Sequence, residues 1–164
     1  MISTSMQKAI NEQINKELYS AYLYLSMAAY FEANNLPGFA KWMHIQAGEE
    51  YEHAMKFFEH LLDRGVKVEL KPIAGPEVDW KSNLEIMKQV QAHEAEVTAS
   101  INNLYELSIK ENDYPAQVLL HWFITEQVEE EKNAAEIVQH LELIDSRGTA
   151  VLMLDHELGK RGND

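Results

Sequence analysis

The sequence predicts an all-α fold: a four-helix bundle with one long crossover between the second and third helices and a short fifth helix at the C-terminus. Three observations predict it. The 7 glycines and 4 prolines of the 164 residues fall almost entirely in a few short stretches. The segments between them are rich in Ala, Glu, Leu, Gln and Lys, which favour helix. Within each segment apolar residues recur at spacings of three and four, the mark of one buried helical face.

The elements follow in order. Ser5 to Ala33 contains no breaker and forms the first helix. Asn34-Asn35-Leu36-Pro37-Gly38 is a turn. The second helix runs from Phe39 to Arg64, interrupted only by Gly48, and Gly65 caps its C-terminus. Val66 to Lys81, holding Pro72, Gly75 and Pro76, is the long connection. Ser82 to Glu111 is the third helix. Asn112-Asp113-Tyr114-Pro115 is a turn, with Asp113 or Tyr114 as N-cap and Pro115 at the first helical position. Ala116 to Arg147 is the fourth helix, ended by Gly148. Thr149 to Leu158 is a short apolar segment before a polar tail.

Each long helix has roughly 26 to 30 residues and is about 40 Å long. The short first and third turns make helices one and two antiparallel, and three and four likewise. The middle connection reaches roughly 50 Å when extended, enough to run the length of the bundle and set helices two and three parallel. One domain is expected over 1–164, with the bundle at about 5–145 and the short helix at about 149–159.

The buried stripes carry more than apolar groups. Helix one gives Ile10, Ile14, Glu17, Ala21, Tyr24, Ala28 and Phe31; helix two gives Phe39, Met43, Gln46, Glu50, His53 and Phe57. Helix three gives Met87, Val90, Glu94, Val97, Ile101 and Leu104. Helix four gives Leu120, Phe123, Gln127, Glu130, Ala134, Ile137 and Leu141. A carboxylate lies in the buried phase of every helix, near its middle, so the four can meet in one layer. A single buried Glu is usually a boundary residue whose head reaches water. Four in register would cost several kcal/mol each without compensation. A pair of cations would neutralise them. Four glutamates and one histidine are a hard, oxygen-rich set suited to iron or manganese. Glu50-x-x-His53 places both side chains on one face of a turn, and Gln127-x-x-Glu130 repeats the spacing. Glu, Glu and a Glu-x-x-His motif match the architecture of di-iron carboxylate bundles.

Charge and composition narrow the classes. Acidic residues outnumber basic ones, 27 to 14, for a net charge of −13. Such a surface repels phosphate backbones and attracts cations, which excludes nucleic-acid binding through a basic face. With no cysteine, disulfides, thiolate zinc sites, iron–sulfur clusters and cysteine nucleophiles are excluded. No apolar run approaches a membrane span of about 20 residues. Met1-Ile2-Ser3-Thr4-Ser5 lacks the segments of a signal peptide, so a cytoplasmic location is expected.

The chain resembles the bacterial non-haem ferritins. The segments that carry the resemblance are Glu17-Leu18-Tyr19-Ser20-Ala21-Tyr22-Leu23-Tyr24-Leu25, Glu49-Glu50-Tyr51-Glu52-His53-Ala54 and Glu126-Gln127-Val128-Glu129-Glu130-Glu131. It extends over essentially the whole chain, the short fifth helix included. The resemblance implies a ferroxidase centre, iron storage and detoxification. Glu17, Glu50 and His53 would hold the first iron. Glu50 would bridge to a second, held by Glu94 and Glu130, with Gln127 lining the site. A third iron site would use Glu49, Glu126, Glu129 and Glu130. Tyr24 matches a family tyrosine near the iron pair, and spacing independently puts it two turns from Glu17 on the same stripe. The resemblance further implies Fe(II) and O2 as substrates and a 24-subunit shell with the fifth helices, including Val151, Leu152, Leu154 and Leu158, around fourfold axes.

Departures refine this reading. Haem-containing bacterioferritins carry a methionine between the Glu and His of helix two, where this chain has Tyr51 and Glu52. The second Glu-x-x-His is also missing, so no haem is expected. The competing classes are a di-iron oxygenase or radical protein, which needs a substrate pocket that the filled stripes argue against, and a metal buffer or scaffold. His44, His60, His93, His121, His140 and His156 read as surface or satisfied histidines; Met27, Met43, Met55 and Met87 read as core filler. Trp42, Trp80 and Trp122 read as packing or subunit contacts, Trp122 being the best placed for a redox role. Gly48 costs about 1 kcal/mol relative to Ala within a helix and points to close packing there.

Overall fold

A computed structural model describes residues 2–144 and 148–162. It contains five helices and, among the described residues, no strand. Helix α1 (Thr4–Ala33) starts where the Ser3 hydroxyl accepts from the Met6 N–H at 3.0 Å. Helix α2 (Pro37–Asp63) starts two residues earlier than its sequence suggests. Proline suits the first helical position, where no N–H is needed. Leu36 offers no side-chain cap. The Asp155 carboxylate supplies one from a distance, accepting from the Phe39 N–H at 2.9 Å. Helix α3 (Asn83–Lys110) is capped by Ser82, whose hydroxyl accepts from Glu85 N–H at 3.1 Å. Helix α4 (Tyr114–Ile144) is capped by Asp113, which accepts from Ala116 N–H at 3.2 Å. The expected bundle end at residue 145 lies outside the described residues. Helix α5 (Gly148–Leu158) takes Gly148 as its first residue.

The turns follow the residues that make them. Asn35 and Asn112 stand at φ of 58° and 55°, left-handed conformations that asparagine tolerates after a helix. Gly65 stands at φ 70° just past α2, as expected of a C-terminal glycine.

Helices α1 and α2 pack as one antiparallel hairpin, α3 and α4 as another. The crossover is tied along α1 by its polar groups. Gln7 Nε2 donates to Lys67 O at 3.1 Å, and Glu69 N–H donates to Asn11 Oδ1 at 2.7 Å. Asn15 Nδ2 donates to Lys71 O and Pro72 O, Ser26 Oγ to Glu77 O, and Tyr30 Oη to Trp80 O. Gln7 to Tyr30 is about 35 Å of helix. The connection therefore climbs the bundle and delivers α3 parallel to α2.

The core is two apolar clusters. One joins Leu23, Met27, Phe31, Phe39, Met43, Met87, Ile137 and Leu141 at one end. The other joins Met6, Ile10, Ile14, Phe57, Leu61, Ile101, Leu120 and Phe123 at the opposite end. The polar layer of the next subsection lies between them. Two expectations are corrected. Ala21 is only half-buried, because the inward face of α1 passes through Ser20, Leu23 and Tyr24 at this level. Gly48 does not mark close packing: a Cβ there would meet nothing within 4 Å. The tight glycine is Gly38, where a Cβ would stand 1.7 Å from Asp155 O. On α5, Val151, Leu154 and Leu158 pack on the bundle, whereas Leu152 stays 60% exposed beside Met153 at 71%.

Candidate metal centre

Each helix carries one glutamate into the layer between the two apolar clusters. The apolar periodicity that buries the turns above and below buries that glutamate too. Glu17, Glu50 and Glu94 are 1% exposed; Glu130 and His53 are 4% exposed. Glu17, Glu50 and His53 each offer one ligand atom, all within 4.8 Å of one another. His53 Nδ1 stands 3.6 Å from Glu50 Oε2. The His53 ring is wedged edge-on against Trp122 and Phe123, at 5.3 and 5.8 Å between centroids. Trp122, 39% exposed, is covered on its face by Lys56.

The hydrogen bonds in this layer are unevenly distributed. Gln13 Nε2 donates to Glu17 Oε1 at 2.8 Å. Glu17 Oε2 and both oxygens of Glu50 are buried with no hydrogen-bond partner. Buried polar atoms are nearly always paired, so three orphans on two adjacent carboxylates mark a place for a bound group. On the other side, Glu94 accepts from the Tyr24 hydroxyl and from Gln127 Nε2, the latter at 3.2 Å. Gln127 Nε2 also donates to Glu94 O and to Thr98 Oγ1. Glu130 Oε2 accepts from Gln46 Nε2 at 2.9 Å.

Electrostatics follow from burial. Desolvation, then the charge of Glu50, pushes Glu17 well above the usual carboxylate range. Desolvation and the charge of Glu94 do the same to Glu50. Glu94 is also raised by burial, against the hydrogen bonds from Tyr24 and Gln127 that favour its anion. Burial and the charge of Glu94 push Glu130 up to about 7. The Tyr24 phenol is raised well above its ordinary value, by burial and by Glu94. These groups feel one another because they form one cluster, which binds protons when no cation is present.

The outer glutamates differ. Glu49 is half-buried and pairs with Arg161 Nη2 at 2.6 Å. Glu126 is half-buried and Glu129 exposed; among the described residues neither makes a hydrogen bond or ion pair to the layer. The geometry thus gathers Glu17, Tyr24, Glu50, His53, Glu94, Gln127 and Glu130, and leaves Glu126 and Glu129 at its edge.

The donor set is carboxylate oxygen with one imidazole nitrogen and no sulfur. It fits a divalent first-row metal. The sequence signs no role to Gln13, although it lies four residues before Glu17, the spacing at which two side chains on a helix meet. Gln46 was visible on the stripe, but its partner Glu130 is on another helix. Arg161 stands in the segment read as a polar tail and has no local signal. The Ser20 hydroxyl lies 2.7 Å from His93 Nε2, and the His93 ring meets Tyr24 edge-on at 5.8 Å between centroids.

Comparison with known proteins agrees with this arrangement. Residues 7–144 match the family described as ferritin-like domain. The bacterial non-heme ferritin of Staphylococcus aureus strain USA300 is 35% identical over 164 residues, covering 100% of this chain and 99% of that protein. That of Staphylococcus haemolyticus is 36% identical over the same length. Among solved structures, an open-pore ferritin from the archaeon Archaeoglobus fulgidus superimposes with a TM-score of 0.97 at 45% identity, over 98% of this chain and 99% of that one.

Proposed function

The chain belongs to the ferritin family, and from that premise we propose that it stores and detoxifies iron by oxidising Fe(II) with O2 at the layer between its apolar clusters. The observation that carries this reading is the set of three buried, partnerless oxygens on Glu17 and Glu50, next to His53. Iron is here the substrate and the cargo.

Glu17, Glu50 and His53 bind the first Fe(II). Glu50 faces the charge of Glu94 and Glu130 and bridges to a second Fe(II) held by those two. Gln127 lines the second position and keeps Glu94 oriented. The Tyr24 hydroxyl does the same from α1. Each Fe(II) gives one electron to O2, which is reduced to the peroxide level, and the protons held by the metal-free carboxyls leave as the ions bind. Carboxylates stabilise Fe(III) and change easily between terminal and bridging binding. A single imidazole keeps the product labile, so ferric ions move on to a mineral. Glu49, Glu126, Glu129 and Glu130 form a third, outer position on the way.

Storage requires a cavity, and we place it inside a 24-subunit shell with a strongly acidic wall. The exposed Leu152 and Met153 on α5 support burial between subunits. The 45% identity to an open-pore ferritin favours a second arrangement, in which the shell has wide openings. Electron microscopy of the purified particle distinguishes the two. The activity is tested by mixing anaerobic protein, loaded with two Fe(II) per chain, against oxygenated buffer in a stopped-flow. Oxidation much faster than the protein-free control is expected. Oxidation at the control rate would leave a metal-binding bundle and remove the ferroxidase reading.

A further inference from the structure

The segment after α5 reaches the metal layer from outside the bundle. It is seated on the start of α2 by several contacts. The Asp155 carboxylate accepts from Phe39 N–H, and Lys41 Nζ donates to Gly159 O at 3.0 Å. A Cβ on Gly159 would lie 3.3 Å from Gly38 Cα, so two glycines let the backbones meet. From this seat the Arg161 side chain crosses the face of Trp42, at 4.9 Å from the ring centroid. Its guanidinium ends between two residues of α2. Nη2 donates to Glu49 Oε2 at 2.6 Å, and Nη1 donates to Gln46 Oε1.

Gln46 extends the reach of that cation. Its side chain is fully buried, and its Nε2 donates to Glu130 Oε2 at 2.9 Å. An amide has one acceptor end and one donor end. Arg161 occupies the acceptor end and so turns the NH2 toward Glu130. One guanidinium therefore holds Glu49 directly and orients the partner of Glu130 on α4. These are two of the four carboxylates assigned above to the outer iron position. Arginine cannot shed its charge by losing a proton. It can leave Glu49 only by moving.

We propose that Arg161 is a displaceable counter-cation for the outer metal position, so that an ion can bind Glu49 only when the Arg161 side chain swings out. This rests on the reading of the layer as a metal centre. The Arg161 cation sits on Glu49 Oε2 at 2.6 Å, so an incoming metal ion both repels it and competes with it for the charge of Glu49. By linkage, whatever loosens the tail raises the affinity of the outer position, and metal there loosens the tail by the same factor. The tail thus sets how readily a third ion joins the pair. Trp42 reports the event, because the cation that stacks on it is the one that departs.

The test uses Zn(II), which does not change oxidation state, on the assembled metal-free protein. Calorimetry counts the ions bound, and the difference in emission between the wild type and Trp42→Phe follows the tail, since Trp122 lies against His53 and responds to the first ion. In the wild type the two tightest equivalents leave the Trp42 emission unchanged and the third alters it. Arg161→Gln raises the affinity for the third ion about tenfold, the lower end of what outer partners of metal ligands control, and leaves the first two alone. Trp42→Phe removes the emission change at the third ion without altering stoichiometry. Arg161→Lys keeps the charge but loses the fork, and raises the third affinity by a smaller factor; it also serves if the Gln variant assembles poorly. An unchanged third affinity in both arginine variants would overturn the proposal and reduce Arg161 to a docking contact. A third ion that binds the wild type with no change at Trp42 would overturn it as well. Absence of the first two tight equivalents in every variant would instead remove the metal-centre reading beneath it, and the proposal with it.

Discussion

The two helical hairpins contribute opposite kinds of glutamate to the same layer. The α1–α2 hairpin presents Glu17 and Glu50, with three buried oxygens that no other group of the protein satisfies and that meet each other when one carboxyl holds a proton. The α3–α4 hairpin presents Glu94 and Glu130, each already holding a donated hydrogen bond from the protein. Those donors come partly from the other hairpin, through Tyr24 and Gln46. The contrast teaches how one site can be both tight and labile. On the function proposed above, the first half is incomplete without a cation and binds one strongly. On the same reading, the second half already holds hydrogen bonds, so an ion there competes with them and is released more readily.

The largest effect expected on this contrast is at Glu50, the residue that joins the halves. Glu50→Ala should slow initial Fe(II) oxidation by more than the roughly 10- to 100-fold that loss of an outer partner of a metal ligand costs, with assembly intact by size-exclusion. Initial oxidation at the wild-type rate would end the bridging role. Next comes Tyr24→Phe, which removes one donor from Glu94. Its signature is selective: the affinity for the second Zn(II) per chain should change by about tenfold or more, and that for the first should not, as read by calorimetry. Equal effects on both would mean that the halves are not independent in the way proposed.

A smaller effect is expected in stability against pH. Glu17, Glu50, Glu94 and Glu130 all have carboxyls raised by burial, Glu130 to about 7. The folded protein thus holds these protons more tightly than the unfolded chain does. Their contribution is fully present below the ordinary carboxylate pKa of about 4.3 and is lost as pH rises through the raised values. Metal-free protein should have a lower guanidinium midpoint at about pH 8 than at about pH 6, and Zn(II) should abolish most of that slope. His60 and His93, held low by burial, act in the opposite direction with or without metal, so a slope that Zn(II) leaves unchanged would contradict the protonated layer. The smallest effect lies outside the layer altogether. Gly48→Ala fills open space on an exposed turn of α2, and should raise stability by about 0.5–1 kcal/mol with no change in metal binding. It serves as the control that separates helix stability from site chemistry.

Much of this was legible in the sequence, because the layer is written in periodicity. Glu17, Glu50, Glu94 and Glu130 each sit in phase with apolar neighbours three and four residues away, and all four are buried. Breaker positions placed the helix ends to within a residue or two, apart from the end of the fourth helix, where Arg147 lies outside the described residues. What escaped the sequence depends on distant partners. The early start of α2 is supported by Asp155, more than a hundred residues away. Gly48 has no local feature that distinguishes it from a packed glycine. The inward face of α1 shifts from Ala21 to Ser20 because α1 meets both α2 and α3, and one stripe does not describe a helix with two neighbours. Leu152 shares its apolar character with Val151, Leu154 and Leu158, but its angle on α5 turns it outward. Arg161 is the clearest case: in sequence it is one cation in a polar tail, and only the fold brings it to Glu49 and Gln46.

The measurement that tests the account most directly is anomalous scattering from crystals of the metal-free protein soaked anaerobically in Zn(II), first at one and then at two ions per chain. The account predicts a first peak among Glu17, Glu50 and His53, and a second, appearing later, between Glu50, Glu94 and Glu130. A first peak on the Glu94 and Glu130 side, or peaks confined to surface carboxylates, would contradict it.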